Sequence, residues 1–211
     1  MSEPAPAAPL KVGAVLFEGF ELLDVYGPLE MFGMLRERVR ITMLADKAGP
    51  VRTLAGPAGL ADLSLGEAGA FDVLLIPGGL GTRTAVQDPV LVAHLGRLSA
   101  AARFTATVCT GSALLARSGV LDGRRATSNK RAFDWVRSQG PRVHWVPKAR
   151  WVEDGPFFTS SGVSAGMDMA LALIERLFDE KTSLEVARWA EYSWHRDSTW
   201  DPFAAANGLS L

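Results

Sequence analysis

One cysteine, Cys109, stands in a chain of 211 residues. That scarcity excludes an intrachain disulfide framework and an all-cysteine metal site. Histidine is nearly as sparse: His94, His144 and His195 are widely separated, no ligand pair falls at zinc-type spacing, and no metal is expected. Each of the three reads by itself as structural or exposed. No polybasic or polyacidic block occurs, and 22 Lys and Arg against 23 Asp and Glu leave a formal charge of −1. Without a concentrated basic surface, nucleic acid and anionic membranes are not expected as partners. No apolar run approaches the roughly 20 residues that cross a bilayer. The N-terminus, with Glu3 and with prolines at Pro4, Pro6 and Pro9, lacks the basic and long apolar regions of a signal peptide. A cytoplasmic location is the expectation.

What is present is ample material for one core, with 48% apolar residues and no composition break. Residues 1–9 read as a disordered leader and 10–211 as a single α/β domain. The dense apolar run 11–17 predicts a buried strand. A helix carrying Leu22, Val25, Leu29 and Phe32 follows, with a kink or restart expected at Gly27-Pro28. Runs 39–44, 72–76 and 104–108 predict further strands, and residues 46–66 predict small hairpins outside the main sheet. Asp88-Pro89 reads as a helix start, with Leu91, Leu95 and Leu98 on one stripe. Later come a helix from about Lys130, short strands near 143–145, 149–152 and 157–160, and a helix over 163–178. This alternation predicts a three-layer α/β sandwich with a mostly parallel central sheet, flavodoxin-like in plan. The last 25 residues hold Trp189, Tyr192, Trp194, Trp200 and Phe203, and are expected to pack on the domain or on a second subunit.

Reactive groups in such sheets gather at the carboxyl ends of strands. Cys109 ends the 104–108 run, and Thr110-Gly111-Ser112 supply the small residues of a sharp strand-to-helix turn, a nucleophile elbow with cysteine in place of serine. Amide donors at the following helix start favour a thiolate and can hold negative charge on a substrate. The competing reading is a small buried hydrophobe. Asp24, set between Leu23 and Val25, is a carboxylate in a segment that demands burial; Glu21 and Glu30 are its rivals. In contact, Asp24 and Cys109 would share a proton and titrate as a unit. The glycines of Pro77-Gly78-Gly79-Leu80 form either a tight turn or a set of oxyanion donors, with the amides of Gly79 and Leu80 toward the substrate. Ser128 or Asn129 reads as a helix cap. The small residues from Ser160 through Ser161 to Gly166 fit close backbone packing beside a pocket as well as they fit ligand binding.

The chain resembles the PfpI/ThiJ superfamily, related in fold to class I glutamine amidotransferases. The resemblance spans residues 11–180. It rests on Leu23-Asp24-Val25-Tyr26-Gly27-Pro28, on Leu75-Ile76-Pro77-Gly78-Gly79 and on Ala106-Thr107-Val108-Cys109-Thr110-Gly111-Ser112. Further agreement comes from Leu121-Asp122-Gly123-Arg124-Arg125-Ala126-Thr127 and from Ser161-Gly162-Val163-Ser164-Ala165-Gly166-Met167-Asp168. The pattern is most similar to the isonitrile hydratase branch, and also resembles the ligand-binding-like domain of certain AraC-type regulators. The resemblance implies Cys109 as nucleophile, Asp24 as its acidic partner, Thr110 as the residue after the nucleophile, and Gly79 in the oxyanion region. It implies addition of water to an isonitrile through a thioimidate, no cofactor, a small-molecule substrate and a homodimer. Three departures stand out. Thr110 replaces the histidine of protease-like members. Asn129 stands where the hydratase pattern has histidine. The segment with Trp194 and His195 differs from that pattern and bears on the pocket. Alternative readings are glyoxalase- or deglycase-like chemistry on reactive carbonyls, a cysteine-oxidation stress sensor, and a protease- or amidase-like protein without its usual base.

Overall fold

The computed structural model describes residues 8–209; residues 1–7 of the expected leader lie outside them. The main sheet takes β1 (Leu10–Val15), β2 (Val39–Ala45), β5 (Leu63–Ser64), β6 (Val73–Ile76), β7 (Phe104–Thr107), β10 (Trp151–Asp154) and β11 (Phe157–Ser160). Their order across the sheet is β10-β11-β7-β6-β1-β2-β5, parallel throughout except for the antiparallel β10–β11 hairpin. The remaining strands form two small ribbons: β3 (Gly49–Arg52) with β4 (Ala58–Ala61), antiparallel, and β8 (Arg125–Ala126) with β9 (His144–Trp145), parallel. The helices are α1 (Leu22–Gly33), α2 (Thr82–Ala85), α3 (Pro89–Ala101), α4 (Gly111–Arg117), α5 (Phe133–Gln139), α6 (Ala165–Leu177), α7 (Glu180–Trp189) and α8 (Pro202–Ala206).

The β1-to-β2 crossover steps one way along the sheet and the β6-to-β7 crossover steps the other. Right-handed connections therefore place their helices on opposite faces. One layer is α1, α6 and α7, packed in that order; the other is built around α4, which touches α2, α3 and α5. Both faces being covered, every residue of β6 and of β7 is buried, Thr105 and Thr107 included; the burial of β6 is as its apolar run predicts. The sandwich is thus as expected. No helix among the described residues is long and apolar enough to cross a membrane.

Several local expectations are revised. Helix α1 runs through Pro28 as one element rather than restarting there; Gly27 and Pro28 lie where it meets α6, since a Cβ on Gly27 would sit 2.9 Å from Met167 and Pro28 lies beside Gly166. The 46–66 region gives the expected hairpin, β3–β4, but its last piece, β5, joins the main sheet as an edge strand beside β2. Helix α5 starts at Phe133 rather than near Lys130, since the Asn129 side-chain oxygen accepts the Ala132 N–H at 3.0 Å and holds a turn ahead of it. Asp88 caps α3 as predicted, accepting from Val90 and Leu91. Helix α7 was not expected, although its cap, Asp179, is of a preferred type and accepts the Thr182 N–H at 2.7 Å.

Candidate active site

The register pairs Ile76 with Thr107, so β6 and β7 end level and the segments after them, 77–79 and 108–110, run side by side. Little space separates them. A Cβ on Gly78 would lie 2.5 Å from the Thr110 amide nitrogen, and one on Gly111 would lie 2.6 Å from the Pro77 carbonyl oxygen. Cys109 makes the turn with φ +57°, a left-handed conformation that L side chains resist. Three hydrogen bonds hold it there. Its N–H donates to the Ser161 carbonyl at 3.0 Å, while its carbonyl accepts the hydroxyls of Ser128 at 2.8 Å and Ser112 at 3.2 Å.

Asp24 lies in the first turn of α1 and is wholly buried, whereas Glu21 and Glu30 are exposed. Its Oδ2 accepts the Gly78 N–H at 2.8 Å; its Oδ1 is buried without a partner. Burial pushes this carboxyl up to about 7, with a further upward push from the Glu21 charge, against the lowering effect of the Gly78 N–H and of the Cys109 thiol. The thiol is pushed up to about 12, first by burial and then by the Asp24 charge. The amides of Thr110 and Val163 and the side chain of Asn129 act the other way. Two acids that repel each other's anions in a dry site hold protons in common, so at neutral pH the resting pair is thiol beside a partly protonated carboxyl.

The sequence-predicted residues fall into two groups. Thr110 is buried, its Oγ1 accepting from the Gly79 N–H and the Thr82 hydroxyl, both at 3.1 Å. The Gly78 and Gly79 amides therefore already have acceptors, Asp24 and Thr110; Leu80 is 69% exposed. Gly79, at φ +123°, is pressed against residues 19–21, where a Cβ would lie 2.6 Å from the Gly19 carbonyl oxygen. Asn129 faces the thiol and Gly162, and Ser161 holds the Cys109 amide. Trp194 and His195 belong to a different cluster: the Trp194 ring N–H donates to the Asp168 carbonyl at 3.1 Å and the His195 amide to Asp168 Oδ1 at 2.9 Å. Among the described residues no group of three His, Cys, Asp or Glu side chains is placed to hold a metal ion.

Residues 10–176 match the family model described as the DJ-1/PfpI family. The chain belongs to that family. Among its relatives is the isonitrile hydratase of Pseudomonas putida, 31% identical over 185 residues, which cover 87% of this chain and 79% of the relative. Among solved structures, a ThiJ/PfpI family protein from Pseudomonas syringae superposes with a TM-score of 0.81 at 30% identity, covering 88% of this chain and 76% of that one. A DJ-1 superfamily protein from Salmonella typhimurium gives 0.77 at 28% identity, covering 88% of this chain and all of the other. The chain is also 29% identical to the Pseudomonas aeruginosa HTH-type transcriptional regulator CdhR over 177 residues, about half of that protein.

Sequence reasoning missed several groups around Cys109. Ser128 reads as a helix cap but spends its hydroxyl on the Cys109 carbonyl. Val163 sits at φ +45° and turns its amide toward the sulfur; a β-branched residue gives no sequence signal for that backbone. A buried ionic cluster also escaped notice. Arg150 Nε donates to Asp168 Oδ2 at 2.7 Å, its Nη1 lies 3.6 Å from Asp201 Oδ2, and the Tyr192 hydroxyl donates to Asp168 Oδ1 at 3.1 Å. Buried Lys130 donates to Thr127 Oγ1 at 2.8 Å and to the Ala149 carbonyl, and burial lowers its amine to about 8.

Proposed function

We propose that the chain is a cofactor-independent cysteine enzyme acting on a small molecule, with hydration of an isonitrile to an N-substituted formamide as its reaction. The observation that carries this reading is a sulfur on a left-handed turn next to a buried carboxyl whose second oxygen has no partner. Isonitrile hydration needs a nucleophile and an acid, and this site offers those two groups without a histidine. Cys109 Sγ bonds to the terminal carbon while its proton passes to ionised Asp24. Asp24 then delivers that proton to the same carbon, giving a thioimidate. Water adds to the thioimidate carbon, the C–S bond breaks, nitrogen takes a proton, and thiol and formamide are left. The amides of Thr110 and Val163 and the Asn129 side chain stabilise negative charge on sulfur as it forms and leaves. The relationship to the P. putida enzyme supports this choice of substrate.

We further propose that the protein works in the cytoplasm as a homodimer, without nucleic acid, which sedimentation velocity of the purified chain tests in part. The enzymatic reading is tested with an aryl isonitrile, methylglyoxal and a peptide, each offered to the natural chain and to Cys109→Ala. Cysteine-dependent formamide formation is the expected result. Turnover of methylglyoxal alone would replace hydration by carbonyl chemistry, and turnover of none would remove the enzymatic reading.

A further inference from the structure

The family match ends at residue 176, yet residues 192–201 return to the core and reach the nucleophile through a continuous relay. The Arg150 N–H donates to the Ser198 carbonyl at 2.9 Å. The Arg150 carbonyl accepts the Ser161 N–H at 2.8 Å, and the Ser161 carbonyl accepts the Cys109 N–H at 3.0 Å. Three hydrogen bonds in series thus link the C-terminal strap to the amide that fixes the strained elbow.

The Arg150 side chain locks the same junction from the other side. Its guanidinium lies between Asp168 of α6 and Asp201 of the strap, all three groups buried. Asp201 also caps α8 by accepting the Phe203 N–H at 2.8 Å, and its amide donates to the Lys148 carbonyl at 2.7 Å. Tyr192 and His195 close on the free oxygen of Asp168. On the elbow side, Lys130 ties the Thr127 hydroxyl to the Ala149 carbonyl next to Arg150. The two residues between Thr127 and Lys130 are Ser128, on the Cys109 carbonyl, and Asn129, on the thiol.

We infer that Arg150 is a positioning residue for the nucleophile and that the strap, residues 192–201, is a working part of the active site through it. The inference rests on Cys109 being the reacting group, as proposed above. Loosening this junction lets the elbow relax, admits water and opens a cysteine that is only 5% exposed. The turn then loses the geometry that faces Cys109 to Asp24.

Because the chain has one cysteine, alkylation by iodoacetamide reads this sulfur alone. The rate is measured from pH 6 to pH 10 at 25 °C on folded Asp201→Asn and Arg150→Gln. Asp88→Ala, which removes only the α3 cap, serves as a control for lost stability. The expected result is alkylation at pH 8 at least about fivefold faster than in Asp88→Ala, with the profile's midpoint, above pH 10 in the control, brought down into the measured range. A smaller rise in the folded variants overturns the inference. Where Arg150→Gln does not fold, Asp201→Asn decides by the same threshold; where neither folds, Tyr192→Phe, which removes one hydroxyl from the junction, decides. The readout needs no substrate. A chain that hydrates no isonitrile but shows the rise keeps the strap and loses the proposed reaction, and hydration with unaltered alkylation does the reverse.

Discussion

Cys109 holds a backbone conformation that glycine adopts freely, and two serine hydroxyls and a carbonyl are committed to keeping it there. Cys109→Gly is therefore expected to be more stable than Cys109→Ala by about 1 kcal/mol in urea denaturation, with both inactive. Equal stabilities would mean that the turn is not strained. The acid beside it makes a second prediction. Asp24 titrates near 7 in the folded chain against an ordinary 3.8, so its contribution to stability is complete below about pH 4 and lost as the pH climbs through 7. Asp24→Asn removes that loss: at pH 8 the variant is expected to be more stable by about 2–4 kcal/mol, with the gap closing toward pH 4. A pH-independent difference in melting temperature would count against a buried, proton-holding carboxyl. The same substitution also removes the charge that pushes the thiol up, so the sulfur's titration midpoint falls. Both residues were legible because each broke its local pattern, one a thiol closing an apolar strand, the other a carboxylate among apolar neighbours. Val163 was not, since nothing in its side chain announces an inverted φ.

At the scale of elements, the site is made by two parallel strands ending level and two loops pressed together until only glycine fits between them. Gly78→Ala puts a methyl group against the Thr110 amide and Asp24 Oδ2. The expected loss is about 1–3 kcal/mol of stability, with cysteine-dependent turnover abolished, as read by melting and by activity side by side. Retained turnover would show that the two loops can separate without harm. The strands themselves could be read ahead of the structure because the runs 72–76 and 104–108 are short, dominated by apolar and β-branched residues, and closed by turn residues. The single helix through Pro28 could not. Pro28 packs there against Gly166 on α6, a partner more than a hundred residues away. Likewise β5 is two residues long, and its pairing with β2 depends on the sheet's register rather than on any pattern of its own.

For the whole molecule, the C-terminal aromatics are expected to fold back; Trp194 and Tyr192 do so, gathered on Asp168, while Trp189, Trp200 and Phe203 stay exposed. The ionic junction that receives them was invisible, because Arg150, Asp168 and Asp201 come from a strand edge, a helix and a loop with no common spacing. Removing its centre leaves two buried carboxylates without their cation. Arg150→Met is expected to cost about 3–5 kcal/mol in urea unfolding, far more than the exposed Arg142–Asp122 pair, whose loss costs about 0–1 kcal/mol. Comparable losses at the two positions would mean that the junction is solvated.

The brevity of β5 also matters when many molecules meet. A sheet margin of two residues presents almost no row of unpaired amides onto which a neighbour's strand could dock, so this edge is not expected to seed cross-β pairing in concentrated solution. Lengthening that margin with alternating valine and threonine is the change expected to raise thioflavin signal.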